Sequence, residues 1–129
     1  MKYSDYAPYL LGLLRVSVAL LFMTHGAQKL FGFPEGVPIP IGKISSLLGI
    51  AGILEFFGGF FLLIGFLTRP FAFVLSIEMA VAYIHVHAAR SFWPLLNGGE
   101  LALLYFFIFL FLTSAGAGKF SIDDRRGND

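Results

Sequence analysis

The chain has 129 residues, 57% hydrophobic and 13% charged, with a mean hydropathy of +0.81. Soluble domains average about 45–50% apolar and about 25% charged, and disorder needs low hydrophobicity, so the composition excludes both. A net charge of +1 leaves no electrostatic footprint for nucleic acid, and the lack of cysteine excludes disulfides, thiol catalysis, iron–sulfur clusters and Cys-ligated zinc.

What remains is a small integral membrane protein: one domain over 1–129, all-α, predicted to be an antiparallel bundle of four transmembrane helices in the lipid bilayer. A spanning helix needs about 20 mostly apolar residues. The first such run is 8–30, opened by Pro8, which a first helical turn tolerates. It is too long for the apolar core of a signal peptide and no small-x-small site follows it, so no cleaved leader is expected. A Gly- and Pro-rich link over 31–43 comes next, apolar enough to lie on the membrane interface. The second run is 46–67, with Ser45 or Ser46 as its N-cap. A very short link at Thr68-Arg69 makes it an antiparallel hairpin with the third run, 70–89, which opens on Pro70. The fourth run is 98–115, where Asn97-Gly98-Gly99-Glu100 reads as a capping box. The tail from Gly116 is polar, with a mobile end expected. Barrel strands alternate apolar and polar residues over ~10 positions, whereas these runs are longer and apolar throughout.

Lys2, Arg69, Lys119, Arg125 and Arg126 fall on one side of this arrangement, and Lys43 and Arg90, with Lys29 at a helix end, on the other. The excess of basic residues marks the cytoplasmic side, so both termini are expected in the cytoplasm of a multi-pass protein.

A charge at mid-helix costs about 2.5–3.5 kcal/mol on insertion scales. The runs nevertheless contain Arg15, His25, Glu55, Glu78, His85, His87 and Glu100, with Lys29 near an end. These groups must face one another, water or a ligand. At about 1.5 Å per residue, Arg15 and Glu78 lie about 10 and 12 Å from their cytoplasmic ends and are expected to pair. Glu55 is near mid-membrane, and His25, His85, His87 and Glu100 form an outer polar layer. His25 and Lys29 share a face at i,i+4; Glu78 and His85 share one at i,i+7, from which His87 turns away. Gly52, Gly58 and Gly59 flank Glu55 on its own face, so its carboxylate is expected to point into the bundle.

Each residue also has a plain structural role open to it. Arg15 with Glu78 reads as a register-fixing ion pair, Glu100 as a cap, and His85 and His87 as hydrated interfacial groups. Tyr105, Phe106, Phe107, Phe109 and Phe111 read as lipid-facing or packing surface, and Tyr83 and Trp93 as interfacial aromatics. No Gly-x-Ser-x-Gly, P-loop or dinucleotide fingerprint occurs. His85-x-His87 is a weak metal or haem hint, and a metal held by His25 with His85 or His87 from another helix is geometrically allowed.

The sequence resembles the DoxX family of bacterial four-helix membrane proteins over nearly its whole length. The resemblance rests on Arg15, on His25-Gly26-Ala27-Gln28-Lys29-Leu30-Phe31-Gly32, and on Glu55-Phe56-Phe57-Gly58-Gly59. It continues through Gly65-Phe66-Leu67-Thr68-Arg69, His87 and Gly99-Glu100, and closes on Gly116-Ala117-Gly118-Lys119-Phe120-Ser121-Ile122-Asp123. Ala117 departs from the proline usual in that closing turn, and Glu78 and His85 lie outside the pattern. The resemblance implies a protein of the bacterial cytoplasmic (inner) membrane and a redox association, because the family takes its name from a subunit of a thiosulfate:quinone oxidoreductase.

On that basis the chain is expected to be a membrane subunit of a quinone-linked oxidoreductase system. Glu55 would accept or relay a proton, with His25 and Arg15 as its associates and Arg15 as charge partner. His25 or His87 would bond a quinone carbonyl, within a ligand site of His87, His85, Glu100 and Lys29. Without cysteine the chain stores no electrons itself, so a quinone or haem would have to supply that capacity. Two other classes stay open: a small-solute or proton pathway, built as a homo-oligomer, and an anchoring or assembly subunit without chemistry. Flux abolished by Glu55→Gln would mark the first, and an effect on stability alone the second.

Overall fold

In a computed structural model the described residues are 2–127, and among them every regular element is helical. Helix α1 runs Ala7–Phe31 after a 3-10 turn, Tyr3–Tyr6; α2 runs Leu47–Ile64 and α3 runs Thr68–His87. These three are long and apolar enough to cross a membrane. Helix α4, Glu100–Ala115, has 16 residues. It rises about 24 Å, short of the ~30 Å hydrocarbon core. Helix α4 therefore falls short of the spanning length that the other three meet, because the backbone at 97–99 forms a tight turn before the helix starts. The expected mobile end of the tail, residues 128–129, lies outside the described residues.

Local chemistry accounts for the ends. Ser46 caps α2 by accepting from the Gly49 N–H at 3.3 Å. Gly65 closes α2 at φ +67, a conformation that favours glycine, and a Cβ there would lie 3.0 Å from Ser121 Cα and 3.1 Å from Arg15 Cζ. Leu67 follows at φ +51, a left-handed strain of about 1–2 kcal/mol. Asp123 holds it there: its carboxylate accepts from Leu67 N at 3.0 Å and Thr68 N at 2.9 Å, capping α3. The capping box expected at Asn97-Gly98-Gly99-Glu100 is not formed. Asn97 Oδ1 instead accepts from Gly99 N at 2.7 Å, a local turn that wins because it needs no helical geometry from Glu100.

The core lies between all four helices. Phe22 of α1 packs edge-on against Tyr105 and Phe109 of α4, with centroids 5.0 and 4.8 Å apart, and Leu62, Ala72, Leu75 and Leu112 complete the layer. Helix α1 meets α2 closely because Gly26 has no side chain, where a Cβ would sit 2.8 Å from Phe56 Cα and 2.9 Å from Gly52 O.

Below the core the polar tail is tied into the bundle. Arg15 is fully buried and donates from Nη1 to Leu62 O (2.6 Å) and Leu63 O (2.7 Å), the last turn of α2. Its other nitrogens donate to Ala117 O (2.8 Å), Lys119 O (3.1 Å) and Phe120 O (2.9 Å). Arg69 does the same for α4, donating to Thr113 O at 3.1 Å and also to Ser114 O. A cation at a helix C-terminus satisfies carbonyls that have no partner within the helix, and in lipid there is no water to do so.

Candidate functional site

Above the aromatic layer, the four helices part around a cavity of about 530 Å³. Phe22, Met79 and Tyr105 belong both to the core and to the cavity wall, so packing closes its floor. Most of the wall is apolar, and the polar groups are few: His25 and Lys29 from α1, Glu55 from α2, Glu78, His85 and His87 from α3, and Tyr105 from α4. Such a lining, mainly apolar with a few convergent polar groups, is the usual form of a small-ligand site.

Two segments of the wall are wound as π-helix, Leu54–Gly58 in α2 and Tyr83–His87 in α3. Single-turn π segments are rare and recur at functional sites. The first holds Glu55 against α1 while Gly58 faces Leu75 of α3, where a Cβ would lie 3.0 Å from Leu75 Cδ2. The second carries both His85 and His87, and both line the cavity.

Lys29 Nζ bonds Glu55 Oε2 at 2.7 Å, with side-chain exposures of 22% and 7%. His25 stands edge-on to Tyr105, centroids 6.0 Å apart. His87 Nδ1 donates to Asn97 O at 3.0 Å, and buried Asn97 donates to Tyr83 Oη at 3.0 Å and Ser91 O at 3.1 Å, fixing the rim where α3 hands over to α4. Glu78 differs from all of these. Both its carboxyl oxygens are buried and neither has a hydrogen-bond partner.

A model of the DoxX family matches residues 10–88, a stretch that contains nearly all of α1 and the whole of α2 and α3. The chain belongs to the DoxX family. An uncharacterised protein of Haemophilus influenzae is 42% identical over 124 residues, covering 93% of this chain and 92% of the relative. The inner membrane protein YqjF of Escherichia coli is 31% identical over 113 residues, covering 84% and 85%. An uncharacterised membrane protein of Mycobacterium tuberculosis, Rv3486, is 27% identical over 128 residues, covering 87% and 78%. No solved structure matches. Long apolar helices and membrane-protein relatives make this DoxX chain a multi-pass integral membrane protein.

The structure brings His25, Lys29, Glu55, His85 and His87 together and leaves out two residues of the DoxX pattern, Arg15 and Glu100. Arg15 does not bond Glu78 as their common depth suggested, because its guanidinium meets the carbonyls at the end of α2 on another face. The expected two-layer arrangement fails for the same reason, and Glu78 joins the cavity instead. Glu100 is exposed and lines no part of the cavity, since it sits on the outer side of the first turn of α4. Among the described residues no three His, Cys, Asp or Glu side chains are gathered as a group that could hold a metal ion. Glu78 and Tyr105 are the residues whose place in the site the sequence concealed. An acidic residue at mid-helix was the available signal for the first; the second is one aromatic among many.

Proposed function

We propose that this DoxX protein is an antiparallel four-helix protein of the bacterial inner membrane, with both termini in the cytoplasm, and that its cavity binds a quinol for a quinone-linked oxidoreductase system. The observation that carries the reading is the buried, partnerless carboxyl of Glu78, a residue of the wall of an apolar cavity that the Lys29–Glu55 pair also lines. An orphaned acceptor in lipid costs on the order of 1–3 kcal/mol, so the site calls for a ligand that donates a hydrogen bond. A quinol hydroxyl is such a donor, and its ring suits the walls formed by Phe22, Met79 and Tyr105.

The donor set fits a head group that both donates and accepts. Glu78 would accept from one hydroxyl, while Lys29 and His25 supply donors for an oxygen. Glu55 holds Lys29 in place and balances its charge, so that the ammonium survives burial. A bound quinone would supply two-electron redox capacity, which the side chains lack. The chain's own part is to orient the head, exclude water and hold a proton at Glu78 or Glu55. Arg15 positions α2 and the tail, and takes no part in binding.

The test is a titration of nanodisc-embedded protein with a tail-less hydroquinone. Saturable binding is expected, weakened roughly tenfold or more by Glu78→Gln or Lys29→Met with helicity unchanged. Wild-type protein that binds nothing overturns the reading. Proton or solute flux into proteoliposomes, lost in Glu55→Gln, would turn the assignment to a transport pathway.

A further inference from the structure

The main cavity does not end at Glu78. An apolar groove of about 250 Å³ lies between α2 and α3, walled by Ile50 and Leu54 on one side and Val74 and Ile77 on the other. Leu47, Ala51, Glu78 and Val81 line both spaces, so the groove continues the cavity. The cause is visible in the hairpin. Helices α2 and α3 press together at Gly58 and Leu75 near their shared turn, and they part above it, where Ile50, Val74 and Ile77 are 47%, 44% and 49% exposed. In a membrane these side chains face acyl chains.

We infer that this groove is a lipid-side entrance and tail site, through which a tailed hydroquinone enters from the bilayer and lies with its head against Glu78 and its tail between α2 and α3. The inference deepens the quinol reading and rests on it. The order of chemistry along the passage fixes the ligand's orientation. The polar groups (Lys29, Glu55, His25) lie on the bundle side of Glu78, and beyond it the groove wall is apolar. Glu78 stands at the boundary with both oxygens unsatisfied. A buried carboxyl beside a lipid-facing gap is costly unless a head group bonds it, and a head anchored there leaves its tail one apolar way out.

The experiment uses the full chain in nanodiscs with two photoreactive probes of equal tail length, each with a diazirine at the tail end. One carries a hydroquinone head and the other a plain alcohol. The hydroquinone probe is expected to label Ile50, Leu54, Val74 or Ile77, with labelling reduced roughly tenfold by excess tail-less hydroquinone. Val74→Trp, which fills the groove from its lipid side, is expected to abolish labelling and leave tail-less hydroquinone binding intact. Ile50→Trp repeats the test from the other helix should Val74→Trp fail to fold. Equal groove labelling by the alcohol probe overturns the inference, since bulk lipid would then occupy the gap. Labelling confined to the main cavity overturns the entrance and leaves the quinol site standing. No labelling, together with no binding of tail-less hydroquinone, overturns both.

Discussion

At the scale of single residues, the buried charges divide by what they touch. Arg15 places five N–H···O bonds on backbone carbonyls of α2 and of the tail. Arg15→Ala is expected to destabilise by on the order of 4 kcal/mol, because it strips charged donors from buried acceptors. Arg15→Lys should recover part of this, since an ammonium lacks the planar fork; thermal unfolding in detergent measures both. Glu78 is the opposite case. With no partner for either oxygen, Glu78→Leu is expected to raise stability by about 1–3 kcal/mol and to abolish hydroquinone binding. That combination marks a residue kept for function at the expense of the fold. A Glu78→Leu protein that unfolds earlier than wild type would mean the carboxyl has a structural task. The Lys29–Glu55 pair lies between the two. Lys29→Met leaves a buried carboxylate uncompensated, at on the order of 3–5 kcal/mol, and the double variant Lys29→Met with Glu55→Leu should regain most of that loss.

At the scale of elements, what the sequence disclosed was what linear spacing encodes. The i,i+4 relation of His25 and Lys29 and the glycines around Glu55 put all three on the cavity side, since a charge in lipid has few other places to go. Depth, however, is one coordinate. It gave Arg15 and Glu78 the same level and said nothing of their angle around the bundle, and the carbonyls that claim Arg15 carry no sequence signature. His87 entered the expected ligand site through the family resemblance and not through helical phase, which turned it away from Glu78 and His85; the π segment Tyr83–His87 is invisible in a 3.6-residue pattern. How the tail docks was not legible either, because its polar residues follow no helical or strand period, while Asp123 uses its charge to cap α3 and hold Leu67 in a left-handed turn. Asp123→Ala is therefore expected to cost about 1–2 kcal/mol, with hydrogen exchange accelerated first at the Leu67 and Thr68 amides. Exchange that quickens evenly along α3 would argue against the cap.

At the scale of the molecule, the short α4 bears on topology. Its 16 residues fall about 6 Å short of the hydrocarbon core, yet the chain after it returns to the start of α1, where Lys119 N donates to Pro8 O at 2.9 Å. The end of the chain is thus tied to the side on which α1 begins, and a bilayer meets such a mismatch by thinning, at fractions of a kcal/mol per ångström. Because the chain has no cysteine, single-cysteine variants read its topology cleanly. Lys43→Cys and Arg90→Cys, in the links after α1 and α3, are expected to react with a membrane-impermeant maleimide applied to spheroplasts. Lys2→Cys and Arg126→Cys should react only after permeabilisation. Were α4 to stop short of crossing, Arg126→Cys would label with Lys43→Cys from outside while Lys2→Cys stayed protected, and the tie between tail and α1 could not exist in the membrane. The cavity mouth, rimmed by His85, His87 and Gly98, would still open on the side opposite Lys2, so this measurement judges the fourth crossing separately from the ligand site.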